Sequence, residues 1–290
     1  MLKTNKDRLV QVAALGEVNH PWANVTYDTA YDGTPKIGAG LRLGMYGLKY
    51  NIKVGDLCYG WAVGEHVEPG FSITNPDPAE NNALALLACI GNEVTVKTGD
   101  AKGAKGVITG KHGSFLIWLK DEDHEKVTIG DKVQVKAWGV GLKIDGFDDV
   151  SVHKCSPTLL EKMNITIKDG KLIIPVVAEF PAHIMGSGYG MDPHSIDYDI
   201  QSTCDEASEE LGVKKLRLGD FVALKDQLNQ WGRGYYKDAI SIGIVIHGWS
   251  NKMGHGPGVT TLLSAKPGRI ETMIDPDANI AYRLGLREKP

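Results

Sequence analysis

The chain has 290 residues, a formal net charge of −4, 42% hydrophobic and 23% charged residues. That composition fits a folded globular protein with a sizeable core. It gives no general attraction to nucleic acid or to an anionic membrane, and no apolar run reaches the ~20 residues needed to span a bilayer.

The amino terminus, MLKTNKDRLVQVAALG, carries Lys and Asp and has no continuous apolar core, which argues against a secretory signal. Cys58, Cys89, Cys155 and Cys204 are scattered, with no CxxC pair and no zinc spacing. Reduced thiols in a cytoplasmic protein are expected. Glycine is the outlier at 35 residues, about 12% against a usual ~7%. Without a low-complexity run, that excess predicts turns, bulges and close backbone contacts in a β-rich fold.

Residues 31–65 read as short strands broken by glycine. Asp77-Pro78 then starts a helix, with Asp as N-cap and Pro at the first helical position, ending at Gly91. Its run NNALALLAC is apolar on most sides, which predicts a buried helix. From 92 to 145 the pattern alternates as half-buried strands separated by Gly-Asp turns, and KVGD at 53 and TIGD at 128 look like turn idioms ahead of strands. This predicts a small β-barrel of the SH3 or OB kind over residues 1–150.

Ser156-Pro157 caps a short helix, and Lys168-Asp169-Gly170-Lys171 reads as a hairpin turn. Thr203 and Glu206 have capping-box spacing, with Gly212 as the stop. Two long strands, LRLGDFVALKD and AISIGIVIHG, follow. Residues 151–290 are thus expected to form a mostly antiparallel, β-rich α/β domain, and the whole chain an α+β, β-rich fold.

Candidate functional residues cluster in glycine-rich loops. In the strand ending at His247, Ile240, Ile242, Ile244 and Ile246 share one face. Ser241, Gly243, Val245 and His247 share the other, which looks roomy. His255 lies in GHGPG, whose glycines Gly254, Gly256 and Gly258 can present backbone N–H groups to an anion. Between the long strands, KDQLNQWGRGYY carries Asp226, able to orient a histidine or act as a base, and Arg233, able to hold a carboxylate with its fork of donors. In MGSGYG, Gly186, Ser187 and Gly188 form a candidate oxyanion loop, although neither a GxSxG elbow nor a GxGxxG dinucleotide fingerprint is present. His66 and Glu68 fall on one side of an extended segment and form a candidate acid–base or metal pair. No nucleotide-cofactor motif occurs. A divalent metal held by the histidines and a carboxylate is one expectation, although His-x7-His is not a standard ligand spacing.

The phrase KTGDAKGAKGVITGKHG at 97–113 is similar to the KOW motif, which implies RNA or protein contacts; the acidic DEDHE beside it and the lack of stacking aromatics argue against nucleic acid. The phrases HVEPGFSITNPD, ACIGNEVTVKTGDAKGAKGVITGKHG, MGSGYG, GDFVALKDQLNQWGRGYY and SIGIVIHGWSNKMGHGPGVTTLL together resemble a family of uncharacterised bacterial and archaeal proteins, domain of unknown function 4438. The resemblance implies a barrel-like amino-terminal domain and a β-rich α/β domain, and supplies no reaction. A fainter likeness to acetamidase/formamidase-type amidases rests on the GD-plus-strand units and the late glycine-rich histidine loop.

Three readings follow. The first is a hydrolase or lyase on a small polar metabolite, such as an amide, with His247 or His255 as general acid/base, Asp226 orienting and Arg233 binding a substrate carboxylate. The second is a metabolite- or anion-binding protein without chemistry. The third is an RNA- or protein-binding module. A homo-oligomer is expected from the habit of soluble enzymes of this size.

Overall fold

The structure is a computed structural model that describes residues 2–21, 27–37, 44–62, 64–194, 196–230 and 232–289. β1 (Val12–Val18) is followed by a small hairpin, β2 (Tyr27–Thr29) and β3 (Pro35–Ile37), then β4 (Phe71–Thr74), α1 (Pro78–Leu87), β5 (Glu93–Val96), β6 (Lys105–His112), β7 (Ser114–Trp118), α2 (Asp121–His124) and β8 (Lys132–Ala137). Strands β1, β4, β7, β6, β5 and β8 pair antiparallel in that order, and β8 closes on β1. The fold is β-rich as expected, and the barrel has six strands.

The glycine-aspartate turns share one chemistry. At Lys53–Asp56, Thr128–Asp131 and Arg217–Asp220 the aspartate carboxylate accepts the N–H three residues earlier. The glycine before each aspartate has φ of 93°, 86° and 92°. Only glycine takes that left-handed position without strain, so the idiom fixes a tight reversal. Asp169 (φ 49°) and Gly170 (φ 74°) form the expected hairpin turn.

Asp77 caps α1 through its carboxylate, which accepts the Ala79 and Glu80 N–H groups. The helix is not buried: Leu84 alone is fully covered, and Leu86 is 61% exposed. Ala83 to Leu87 are consecutive, so their apolar side chains circle the helix instead of forming one stripe, and only the side against β1 is covered.

The later elements are β9 (Val150–Val152), α3 (Pro157–Lys162), β10 (Thr166–Lys168), β11 (Lys171–Val176), β12 (Ala178–Phe180), β13 (Tyr198–Asp199), α4 (Asp205–Glu210), β14 (Phe221–Leu228), β15 (Gly234–His247), β16 (Gly258–Ala265), β17 (Ile270–Ile274) and α5 (Ile280–Arg283). Ser156 caps α3 by accepting the Leu159 N–H. Helix α4 is capped at Cys204, one residue after the expected Thr203, with no side-chain cap bond. The main sheet runs β12-β14-β15-β16-β13, with β9 on β16, and β10-β11-β17 form a smaller sheet.

The predicted alternation in β15 holds. Ile240, Ile242, Ile244 and Ile246 join one apolar cluster with barrel residues such as Phe71, Ile73, Ile108 and Val135. The opposite face is not roomy: Val245 packs into a second cluster with Phe180, Tyr198, Ile200, Val222 and Val259. The sheet is buried on both sides, which is why Ala239 to His247 are covered throughout.

Asn279 anchors the carboxyl-terminal turn to the start of β14. Its amide donates to Leu218 O (3.1 Å) and Asp220 Oδ1 (2.8 Å), and its Oδ1 caps α5 through the Ala281 N–H (2.8 Å). Asn279→Ala removes a cap and strands two buried acceptors, so a loss of about 2–4 kcal/mol is expected in urea denaturation.

Candidate metal centre

Three imidazoles and two carboxylates meet where the barrel abuts the main sheet. Strand β6 approaches β15 closely because Gly110 has no side chain: a Cβ there would press on Ile246. Two residues on, His112 leaves the barrel with its ring 4.4 Å from that of His247. The segment carrying His66 is tied alongside β15 by Gly248 N–H to Val67 O (2.9 Å) and His66 N–H to Trp249 O (2.9 Å). The His66 and His247 rings are 4.6 Å apart. His66 has φ 53° and is not extended, so it does not share a side with Glu68 as strand alternation would require.

Asp199 on β13 and Asp197 just before it reach the same point. Gly258 pairs with His247 on one side and with Asp199 on the other. Strands two places apart are roughly 10 Å apart, and their side chains meet here because Gly258 between them is bare. A Cβ at Gly258 would overlap both His247 Nε2 and Asp197 Oδ2. His247 Nε2 lies 2.9 Å from Asp197 Oδ2 and 3.5 Å from Asp199 Oδ1. His112 Nε2 lies 3.8 Å from Asp197 Oδ1.

Each ring is oriented from behind. His66 Nδ1 donates to Glu65 Oε1 (2.8 Å), His112 Nδ1 to Glu68 Oε1 (2.7 Å) and His247 Nδ1 to Gly248 O (2.9 Å). All three thus keep Nε2 for the centre. An acceptor behind the ring that fixes the tautomer is the usual arrangement of metal-ligating histidines. Two overlapping triads, His66–Asp199–His247 and His112–Asp197–His247, each hold their ligand atoms within 4.8 Å of one another.

Burial and charge set the protonation. Burial alone would lower the His247 pKa, but Asp197 and Asp199 outweigh it and hold the pKa well above the usual value. Burial would also raise Asp197, yet His112 and His247 hold it well below the ordinary carboxylate range. Asp199 is pushed up, first by burial and further by the Asp197 charge. His66 falls to about 3, chiefly through burial, so its ring is neutral near pH 7. Glu68 is held down against burial by the Lys49 ammonium and by His112.

The candidates read from sequence separate spatially. His66 and His247 are in the centre, and Glu68 stands behind His112. The ring of His255 is 5.5 Å from that of His66, at the rim, with Nδ1 on Met253 O. Arg233 is 1% exposed and donates to the carbonyls of Asp197 (2.7 Å), Gly188 (3.4 Å) and Ile196. It pins the loop that carries Asp197. Asp226 accepts the Asp238 N–H in the β14–β15 hairpin; Asp238 is nine residues from His247 along β15, roughly 30 Å at the strand rise. The Gly186 and Ser187 amides donate to Asp199 O and Gly254 O, and the Gly256 amide to Asp199 Oδ2. Gly188 and Gly254 are turn positions with positive φ.

Sequence reading missed His112, Asp197, Asp199 and Glu65. The pair of aspartates two residues apart in SIDYDI was the available signal, since alternate strand positions face the same way. In the KOW-like phrase Lys111 is buried, while Lys97, Lys102 and Lys105 are exposed.

A closed antiparallel barrel joined to a doubly covered sheet, with a histidine–aspartate centre at the join, defines the class of protein. The chain belongs to the DUF4438 family of unknown function: the amino-terminal domain of that family matches residues 27–161 and its carboxyl-terminal domain residues 162–284. The crystal structure of TM1086 is similar, with 43% identity, 97% of this chain and 98% of that chain covered, and a TM-score of 0.87. No curated protein matches the chain. Among the described residues no helix is long and apolar enough to cross a membrane.

Two outcomes follow. Gly258→Ala forces His247 and Asp197 apart and is expected to lower stability by about 1–3 kcal/mol in urea denaturation. His153, buried near this region, is pushed down to about 3, mainly by burial and also by His194 and Arg233. Below pH 6.5 the unfolded chain takes a proton that folded His153 refuses, so this contribution to stability is lost as pH falls. Between pH 6.5 and 5 it amounts to about 2 kcal/mol. His153→Phe is expected to lose correspondingly less stability than wild type over that interval.

Proposed function

We propose that this protein is a divalent-metal-dependent enzyme, hydrolase-like, acting on a small polar metabolite such as an amide. The observation that carries the reading is the convergence of three back-oriented imidazole Nε2 atoms with two carboxylates. The donor set is nitrogen and oxygen without thiolate, which suits Zn²⁺, Mn²⁺ or Fe²⁺ rather than a soft cation. His66, His112, His247, Asp197 and Asp199 would hold the ion.

Such an ion supplies Lewis acidity and lowers the pKa of a bound water to ~7. The chain's own residues do the rest. Glu65 and Glu68 fix the rings of His66 and His112. Arg233 fixes the loop of Asp197 and thereby the position of its carboxylate. His255, at the rim with Nδ1 occupied, keeps Nε2 for proton transfer to or from a substrate, the work of a general acid or base. In the absence of a cation, His247 carries protons on both nitrogens, one facing Asp197. A metal ion replaces that second proton, so uptake at pH 7 is expected to release about one proton per chain.

The test is calorimetric titration of chelator-treated protein with Zn²⁺ and Mn²⁺ in buffers of different ionisation enthalpy. One ion per chain with proton release is expected, weakened at least a hundredfold in His247→Ala and Asp197→Asn. A folded wild type that takes up neither ion overturns the centre. Metal-loaded protein is then offered small amides, cyclic amides and esters. Hydrolysis that drops at least tenfold in His255→Ala, with metal affinity unchanged, supports the catalytic role. Metal binding with every substrate left intact favours a binding protein.

A further inference from the structure

Behind the proposed centre lies a second polar region that its chemistry does not use. His153 Nε2, Gln227 Nε2, Asn229 Oδ1 and Arg233 Nε are buried, and none has a hydrogen-bond partner among the described residues. His153 is 7% exposed, Arg233 1%, and Gln227 and Asn229 are fully buried. Orphaned polar atoms are individually costly and are rarely clustered in a packed interior.

These four residues are contiguous. The Arg233 guanidinium lies over the Tyr198 ring at 5.2 Å, and the Tyr198 hydroxyl is 3.4 Å from Gln227 Oε1. The Gln227 carbonyl accepts Ser241 Oγ (2.8 Å), which contacts Ser264 Oγ (2.9 Å), which in turn accepts the Asn229 N–H (2.8 Å). Asn229 Nδ2 donates to Thr261 Oγ1 (2.8 Å). His153 lies beside that strand, its N–H on Leu262 O (2.9 Å), and its Nδ1 is 3.3 Å from His194 Nε2.

The surroundings carry both signs, with Lys111, Lys154 and Arg233 set against Asp192 and Asp197. The Lys111 side chain, buried in the same quarter, feels Lys154 and Arg233 as like charges and Asp192 and Asp197 as opposite ones. Gln227 Nε2 and Arg233 Nε are unused donors, joined by His153 Nε2 in the tautomer whose Nδ1 accepts from His194, and Asn229 Oδ1 is an unused acceptor. Donors buried beside fixed positive charges match an oxyanion, which only accepts.

We infer that the buried polar cluster of His153, Gln227, Asn229 and Arg233 binds an oxyanion, the carboxylate or phosphate of the metabolite whose other end faces the metal centre. The cluster and the centre adjoin: Lys111 precedes His112, and Arg233 holds the carbonyl of Asp197 while the Asp197 carboxylate faces His247. The anion site stands on its own residues; its assignment to the substrate rests on the proposed function.

The test uses chelator-treated, full-length protein with inorganic phosphate and, separately, acetate, read by calorimetry and by the rise in Tm. Saturable binding of one of them is expected without any metal. Gln227→Glu, nearly isosteric but negatively charged, and His153→Phe are each expected to weaken it at least tenfold while Zn²⁺ uptake stays as in wild type. Stronger binding of phosphate identifies a phosphorylated metabolite, and stronger binding of acetate a carboxylate. If folded wild type binds neither anion, or if both variants bind as wild type does, the cluster is not an anion site. Anion binding that persists in a protein unable to take up Zn²⁺ removes the metal centre and leaves this site standing.

Discussion

Everything at the centre depends on one absence, the missing side chain at Gly258. Strand β16 separates His247 on β15 from Asp199 on β13, and in an ordinary sheet the intervening residue would fill that space. With hydrogen in place of a methyl group, His247 meets Asp199 across β16 and Asp197 beside it, at 3.5 and 2.9 Å. Gly110 and Gly248 play related parts, letting the barrel strand and the His66 segment lie close enough for their rings to join. The high glycine content of the chain is thus partly a record of close approaches around a single point.

Charge at that point is balanced locally. Two buried carboxylates without cations would be costly. The paired imidazoles answer that charge, and the acceptors Glu65, Glu68 and Gly248 O dictate which nitrogen of each ring does so. Lys49, itself pushed down by burial, balances Glu68 in turn. The arrangement is layered: an inner set of three rings and two carboxylates, and an outer set of acceptors and one ammonium that keeps the inner set aligned.

Local chemistry was legible in the sequence. The TIGD turn, the Asp77-Pro78 cap and the Asp169-Gly170 hairpin are each decided within four residues and formed as read; KVGD turns but leads into no adjacent strand, and LRLGD, read as the start of a long strand, turns before β14. The isoleucine face of β15 was equally plain, because a period of two over eight residues is unambiguous. What failed depended on what packs against what. The α1 helix looked buried from composition, yet only one of its sides meets the barrel. The far face of β15 looked open because Ser241 and Gly243 are small, but a second apolar cluster covers it. His112 was hidden in a lysine-rich phrase, since nothing local says that β6 docks against β15. Asp199 sits on a strand of two residues and Asp197 just before it, too short a stretch for periodicity to show. The carbonyl partners of Arg233 could not be foreseen, because they lie some forty residues away and no side-chain pattern encodes them.

The provenance of the five inner residues constrains how the molecule can move. His112 comes from the barrel, His66 from the connection that precedes β4, and the other three from the carboxyl-terminal sheet. A swing of the barrel away from that sheet would dismantle the centre, so it acts as a clasp across the seam. On the proposed function, access to the centre would then run past rim segments such as the one bearing His255, and not through a jaw-like opening of the two halves.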